Sequence, residues 1–223
     1  AYFAFTPSST SMKPLRIALL WHHHQPYYRV EDMFALPWVR LHAAKDYNDL
    51  ALVHLSHPHI AMTYNIVPSL LQQLREYDEG IEDEVQSLSG IPAESLTADH
   101  KKRIAEIFFL CHHPTMLMPY ARYHELYRST RHIEQALQEL SDNDWRDIQV
   151  WYNLVWIGPV SRDAEYIKRL FDKARDFTEQ EKHLVLSHHK MLMRSVVPTM
   201  RQLYTLGQAE LSVTPLYLSL IHI

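Results

Sequence analysis

The pattern of apolar and polar positions divides the chain into two regimes. Near the start, the apolar run Leu15-Arg16-Ile17-Ala18-Leu19-Leu20 stops at Trp21-His22-His23-His24-Gln25-Pro26-Tyr27-Tyr28. A short apolar run that ends in imidazoles, an amide and a proline reads as a buried strand delivering polar side chains to its C-terminal end, where α/β proteins keep their sites. Strand alternation puts His22 and His24 on one face and Trp21 and His23 on the other. Glu31 to His42 reads as a loop carrying Trp38, Arg40 and His42, and Ala43 to Leu55 shows helical spacing of Tyr47, Leu50, Ala51 and Leu55 before His57-Pro58 ends it. His59 to Asn65 is a second strand, and Pro68 is the first residue of a helix that runs through Leu70, Leu71, Leu74 and Tyr77 to a stop at Gly80. Strand, helix, strand, helix is the order of a parallel sheet.

From Ile81 to Leu206 the periodicity is helical throughout and no strand stands out. Thr97 caps a helix whose apolar positions include Ile104, Ile107, Phe108 and Cys111; another runs from Tyr123 to Leu140; a third, Asp144 to Trp156, carries Trp145, Ile148, Tyr152 and Trp156 at helical spacing. These aromatics read as core before they read as a sugar platform. Thr178-Glu179-Gln180-Glu181 is a capping box opening a long helix, with Gly207 as its stop and Pro198 as an expected kink. Gln208 to Thr214 is a third strand. Within it Glu210 is flanked by apolar neighbours, and a carboxylate in a central strand is expensive to bury, so it should meet a polar site or a cation. The reading is therefore α/β: strands and helices over 13–80, a helical insertion over 81–206, and a third strand within 207–217.

Composition narrows the classes. A formal charge of -4 gives no basic field for nucleic acid, and no stretch approaches the length of a membrane span or shows the start of a signal peptide, so a cytoplasmic protein is expected. A single cysteine, Cys111, excludes an intramolecular disulfide framework and reads as a buried inert thiol. Sixteen histidines are the oddity, and they make the charge sensitive to mild acid. Residues 1–12 read as a non-native or disordered leader with Met12 as the natural start, and 218–223 as a non-native tail similar to translated adapter sequence.

Trp21-His22-His23-His24-Gln25-Pro26 resembles the first signature, W-H-x-H-Q-P, of glycoside hydrolase family 57. Tyr64-Asn65-Ile66-Val67-Pro68-Ser69-Leu70-Leu71, Gln149-Val150-Trp151-Tyr152-Asn153-Leu154 and Gly207-Gln208-Ala209-Glu210-Leu211 resemble further stretches of that family in the expected order. The resemblance departs from the family pattern at about Leu216. It implies the N-terminal portion of an incomplete (β/α)7 barrel, with a large helical insertion between the second and third strands. It also implies a retaining enzyme acting on α-glucans, of the amylase, 4-α-glucanotransferase or branching type, with no cofactor or metal. The nucleophile Glu and acid/base Asp of such an enzyme are expected beyond Ile223, which would leave this chain inactive alone. The substrate-binding set is His22, His24, Gln25 and Glu210, joined by Trp38, Arg40 and His42 where the connection after the first strand lines the same mouth; Trp38 can equally cover the barrel rim.

Two other classes stay open. A His-x-His pair at the end of a first barrel strand also begins metal-dependent hydrolase or deacetylase-like sites, with His22 and His24 as metal ligands. His112-His113 and His188-His189 are candidate partners, read first as solvated or capping residues of the insertion. The third class is non-enzymatic, a helical interaction module on a sheet fragment or an inactive carbohydrate-binding remnant, whose third strand presents an unpaired apolar edge.

Overall fold

The computed structural model describes residues 15–216. The leader 1–12 and the tail 218–223 lie outside the described residues.

The apolar run before the histidines narrows to a four-residue strand, β1 (Leu20–His23). Pro26 turns the chain out of the sheet, and a small antiparallel hairpin follows, β2 (Arg29–Val30) with β3 (Met33–Phe34). Beyond the hairpin, only 35–37 of the expected 31–42 loop is irregular. Helix α1 (Trp38–His42) starts straight after Pro37, passes through a π-helical turn at Ala43–Tyr47, and continues as α2 (Asn48–Leu55). Strand β4 (Met62–Ile66) and helix α3 (Pro68–Asp78), with its proline in the first turn, complete the second unit.

Eight further α-helices follow α3 before β5 (Ala209–Val213). They are α4 (Glu84–Gly90), α5 (Ala98–Ile107), α6 (His113–Met116), α7 (Ala121–Thr130), α8 (Ile133–Glu139), α9 (Asp142–Val155), α10 (Glu165–Lys173) and α11 (Glu179–Thr205). Thr97 caps α5 and Thr178 closes a capping box as read; Thr97 also closes one, with His100, and Ser141 closes a third with Asp144. The single helix expected from Tyr123 to Leu140 is broken at Arg131 and His132. Just before the break, the Ser129 and Thr130 hydroxyls donate back to the Glu125 and Leu126 carbonyls. Helix α11 continues through Pro198 to Thr205, and Gly207, at φ +70°, turns the chain into β5.

The sheet is parallel with β4 central, in the order β1-β4-β5. β5 is thus an edge strand among the described residues, which corrects the central place expected for Glu210. One face of the sheet packs on helices through Tyr64, Ile66 and Ala209, against Leu70, Leu74, Met193, Val196, Met200 and Leu203. A second core is wholly helical, built around Phe108, Tyr123, Trp145, Ile148, Trp151 and Tyr152. Helix α11 serves both: Val185 and Leu192 enter the helical core, and Met193, Val196 and Met200 the sheet core. No helix among the described residues is long and apolar enough to cross a membrane.

Candidate functional site

The other face of the sheet is polar. Register pairs His22 with Asn65 and Asn65 with Ser212, so three polar side chains stand in one row across three strands. His22 Nδ1 lies 2.7 Å from Asn65 Oδ1, and Asn65 Nδ2 donates to Ser212 Oγ at 2.9 Å. With the Asn65 oxygen facing His22, as the structure places it, that oxygen accepts from Nδ1–H; His22 Nε2 is then an acceptor in the neutral ring, and the Ser212 hydroxyl keeps its proton to give. His24 stacks on His22 with ring centroids 5.6 Å apart and planes 12° from parallel. Burial, reinforced by the charge His22 can carry, lowers the His24 pKa and keeps that ring neutral at pH 7.

One register step towards the N-terminal side of the sheet, Leu20, Thr63 and Glu210 form the next row on this face. Thr63 Oγ1 donates to Glu210 Oε2 at 3.3 Å, and Glu210 is exposed rather than buried. It lies two residues short of Ser212, below the histidine pair instead of beside it.

His23 points into the opposite face. It is 5% exposed, packed against the rings of Tyr47 and Tyr64, and its Nδ1 has no hydrogen-bond partner. Burial, and secondarily the charge His22 can carry, pushes its pKa down to about 4. Gln25, expected to touch substrate, is also buried. Its amide donates to the Tyr47 hydroxyl at 2.8 Å and accepts from Tyr28 at 3.0 Å, while its backbone carbonyl accepts from Ser69. Both ends of the amide are committed, so Gln25 fixes the turn after β1 rather than offering a group to a ligand.

The three residues expected from the following connection separate. Arg40 is 1% exposed, held by Asp83 at 2.7 and 3.2 Å, by Asn153 at 3.1 Å and beside His189. Its assignment to the mouth is corrected: because 38–42 is helical, Arg40 turns inward and ties α1 to α4, α9 and α11. Trp38 and His42 stay near the surface, their ring centroids 6.2 Å apart, and His42 Nδ1 lies 2.5 Å from Asp46 Oδ2. Lys45 Nζ reaches the other Asp46 oxygen at 2.7 Å. Burial alone would raise the Asp46 pKa, but hydrogen bonds from His42 and Lys45 outweigh it and hold the carboxyl below its usual value.

Of the remaining histidine pairs, His112-His113 matches the solvated or capping reading, with His112 exposed at the N-cap position of α6, and His188-His189 does not. His188 and His189 are both buried, His188 bonded to the Tyr166 hydroxyl at 2.6 Å and His189 to the Asn153 carbonyl at 2.8 Å. His112 bonds Thr115 and His113 the Phe109 carbonyl, both local contacts. Cys111 is half-buried and burial raises its thiol to about 11, beyond the range of a reactive thiolate. Among the described residues no three His, Cys, Asp or Glu side chains stand close enough to share a metal ion, and the His22 nitrogen nearest the sheet is occupied by Asn65. A cavity of about 790 Å³ between α7 and α8 is lined by His124, Arg128 and His132 among others and shares no residue with the histidine face.

Sequence reading alone passed over Asn65 and Ser212. Each is a polar residue near the C-terminal end of an apolar strand, the signal that drew attention to His22, but without the register nothing joins them.

The model of glycosyl hydrolase family 57 matches residues 18–223. The chain belongs to this family. Glycosyl hydrolase family 57 is a family of glycoside hydrolases, and a carbohydrate is the substrate class that membership implies. The match runs through every strand of the sheet and every residue of the polar face. No curated protein and no solved structure matches the chain.

Proposed function

We propose that the polar face of β1, β4 and β5 is the substrate-binding side of a retaining α-glycoside hydrolase or transglycosylase acting on α-glucans. The observation that carries this reading is the row His22, Asn65, Ser212 with His24 stacked above it, on the open face of a parallel sheet at its C-terminal edge. A sugar hydroxyl both donates and accepts. A neutral imidazole offers one donor and one acceptor and Ser212 offers a hydroxyl that can do either, so the row can present matched partners to neighbouring hydroxyls. Neutrality matters because a charged imidazole would donate from both nitrogens and lose the acceptor. Glu210, one row deeper, would hold the orientation of groups above it through Thr63.

Retention of configuration needs two carboxyl groups about 5 Å apart flanking the scissile bond. The three strands of the sheet carry one, Glu210. The nucleophile and the acid/base are therefore assigned in this reading to strands other than these three, and the chain on its own would bind without cleaving. A cytoplasmic location fits a chain with one unreactive cysteine, and belongs to the same proposal.

Calorimetric titration of the 223-residue chain with α-1,4-linked and β-1,4-linked glucose oligomers tests the reading. Binding of the α-linked series is expected, with His22→Ala or His24→Ala lowering affinity roughly tenfold, the effect of about 1.4 kcal/mol for hydrogen bonds removed from a partly buried site. Equal binding of both series, or none of either, overturns it.

A further inference from the structure

A second polar cluster lies beside the first, and a departure from α-helical geometry builds it. The helical stretch 38–55 contains a π turn, Ala43–Tyr47, between α1 and α2. Such turns are rare, are less stable than α-helix, and occur mostly at functional sites. Here the loop after α9 holds it in place. Gly158 N donates to the Ala44 carbonyl at 3.1 Å, and the buried Asp49 carboxylate accepts from Val160 N at 2.8 Å, Ser161 N at 3.2 Å and Ser161 Oγ at 2.7 Å. The same loop is entered through Trp156, whose ring meets His42 edge-on at 5.8 Å.

The extra residue in the turn sets what the surface presents. It brings the His42 and Tyr47 rings within 6.2 Å and places Asp46 on His42 and Lys45 together. His42 and Asp46 are 35% and 40% exposed, so their remaining hydrogen-bonding capacity faces solvent. Asp46 uses one lone pair on each oxygen, and His42 Nε2 has no partner among the described residues. Trp38 adds a half-buried indole beside them. Tyr47 links this cluster to β1: its ring packs 4.7 Å from that of His23, and its hydroxyl takes the Gln25 amide. Tyr47 thus joins the cluster to the core-facing His23 and to Gln25, the two chain neighbours of His24 at the end of β1.

We propose that the π turn forms a second sugar subsite, in which Asp46, with Lys45 and His42, grips the vicinal hydroxyls of a pyranose ring adjacent along the chain to the one held at His22 and His24. A carboxylate accepts from two neighbouring hydroxyls while an ammonium donates to their oxygens and a neutral imidazole donates or accepts, and the Trp38 indole offers an apolar surface to the ring. This assignment rests on the α-glucan reading above, and its test separates the two.

The 223-residue chain is titrated calorimetrically with a ladder of α-1,4-linked glucose oligomers from two to six units. Asp46→Asn, which keeps the side chain's shape, and His42→Ala should leave the shortest oligomers within twofold of wild type and weaken the longest at least fivefold, while His24→Ala weakens all. In the wild-type chain, the His42 imidazole NMR signals should move with long oligomers and not with the disaccharide. A wild-type affinity profile in both Asp46→Asn and His42→Ala, with His24→Ala still weakening every oligomer, removes the subsite and leaves the first reading standing. Failure of the wild-type chain to bind any oligomer, or an unchanged ladder in His24→Ala, removes both.

Discussion

Three consecutive imidazoles in this chain meet three different environments, and their chemistry follows from position along one strand. His22 is exposed and tied to Asn65, His24 stacks over it, and His23 is driven into the core between Tyr47 and Tyr64. The buried ring carries the thermodynamic consequence. His23 titrates near 6.5 when unfolded and at about 4 when folded, so the unfolded state binds the extra proton first as the pH falls. Stability contributed by keeping His23 neutral is full above the unfolded value and is lost progressively between about pH 6.5 and pH 4. His189, pushed by burial and then by the Arg40 charge to about 3, acts in the same direction, as do His24 and His188. The His23 shift corresponds to about 3 kcal/mol across that window. His23→Phe removes both the titration and the unpartnered Nδ1. Urea denaturation at pH 7 and pH 5 should show wild-type stability falling and the fall reduced in the variant; parallel losses in both would show that His23 is not the group responsible. Arg40 illustrates the limit of residue type as a guide. A guanidinium after a site-bearing strand reads as a substrate clamp, but its helical position sends it to Asp83, which also caps α4 and accepts from Tyr77.

Elements with local causes were legible in the sequence. The Thr97 and Thr178 caps, Pro68 in the first turn of α3 and Gly207 after α11 each depend on residues within a few positions, so short-range pattern was enough. The π turn was not legible, because its stability depends on Gly158, far along the chain. The same holds for the His22, Asn65 and Ser212 row, which exists only through register between strands. Gly158 offers the sharpest test at this scale. A Cβ there would overlap the Asp49 carboxylate and lie 2.5 Å from the Lys45 carbonyl oxygen, which is backbone and cannot swing away. Gly158→Ala should therefore force the loop from the π turn and destabilise the protein by about 1–3 kcal/mol, the range for overpacking a filled site. It should also loosen the His42–Asp46 contact, visible as narrowed dispersion of the His42 imidazole signals. Wild-type stability and spectra in Gly158→Ala would mean that the loop and the turn are not coupled as described.

At the scale of the whole molecule, the sheet is a three-strand arc whose long edges are apolar. Leu20 on β1 is 65% exposed and Val213 on β5 is 70% exposed, with Trp21 and Leu211 beside them also open to solvent. Among the described residues each of these strands is paired on one side only. A barrel removes such edges by closing on itself, which three strands cannot do. Unpaired N–H and C=O groups flanked by apolar side chains template pairing with another chain, and inward or edge lysines are what natural sheets use to prevent it. The helical core is independent of this exposure, since α9 and the helices around it bury Trp145, Trp151 and Tyr123 without help from the sheet. The chain should therefore stay folded while associating through its strands. Sedimentation velocity across a range of concentrations should show a wild-type average that climbs with concentration. Leu20→Lys combined with Val213→Lys should hold it at the monomer value with an unchanged helical signal by circular dichroism. Association that persists undiminished in the double variant would move the sticky surface away from the sheet edges, to the apolar groove between α3 and α11 lined by Leu71, Leu74, Met193 and Val197.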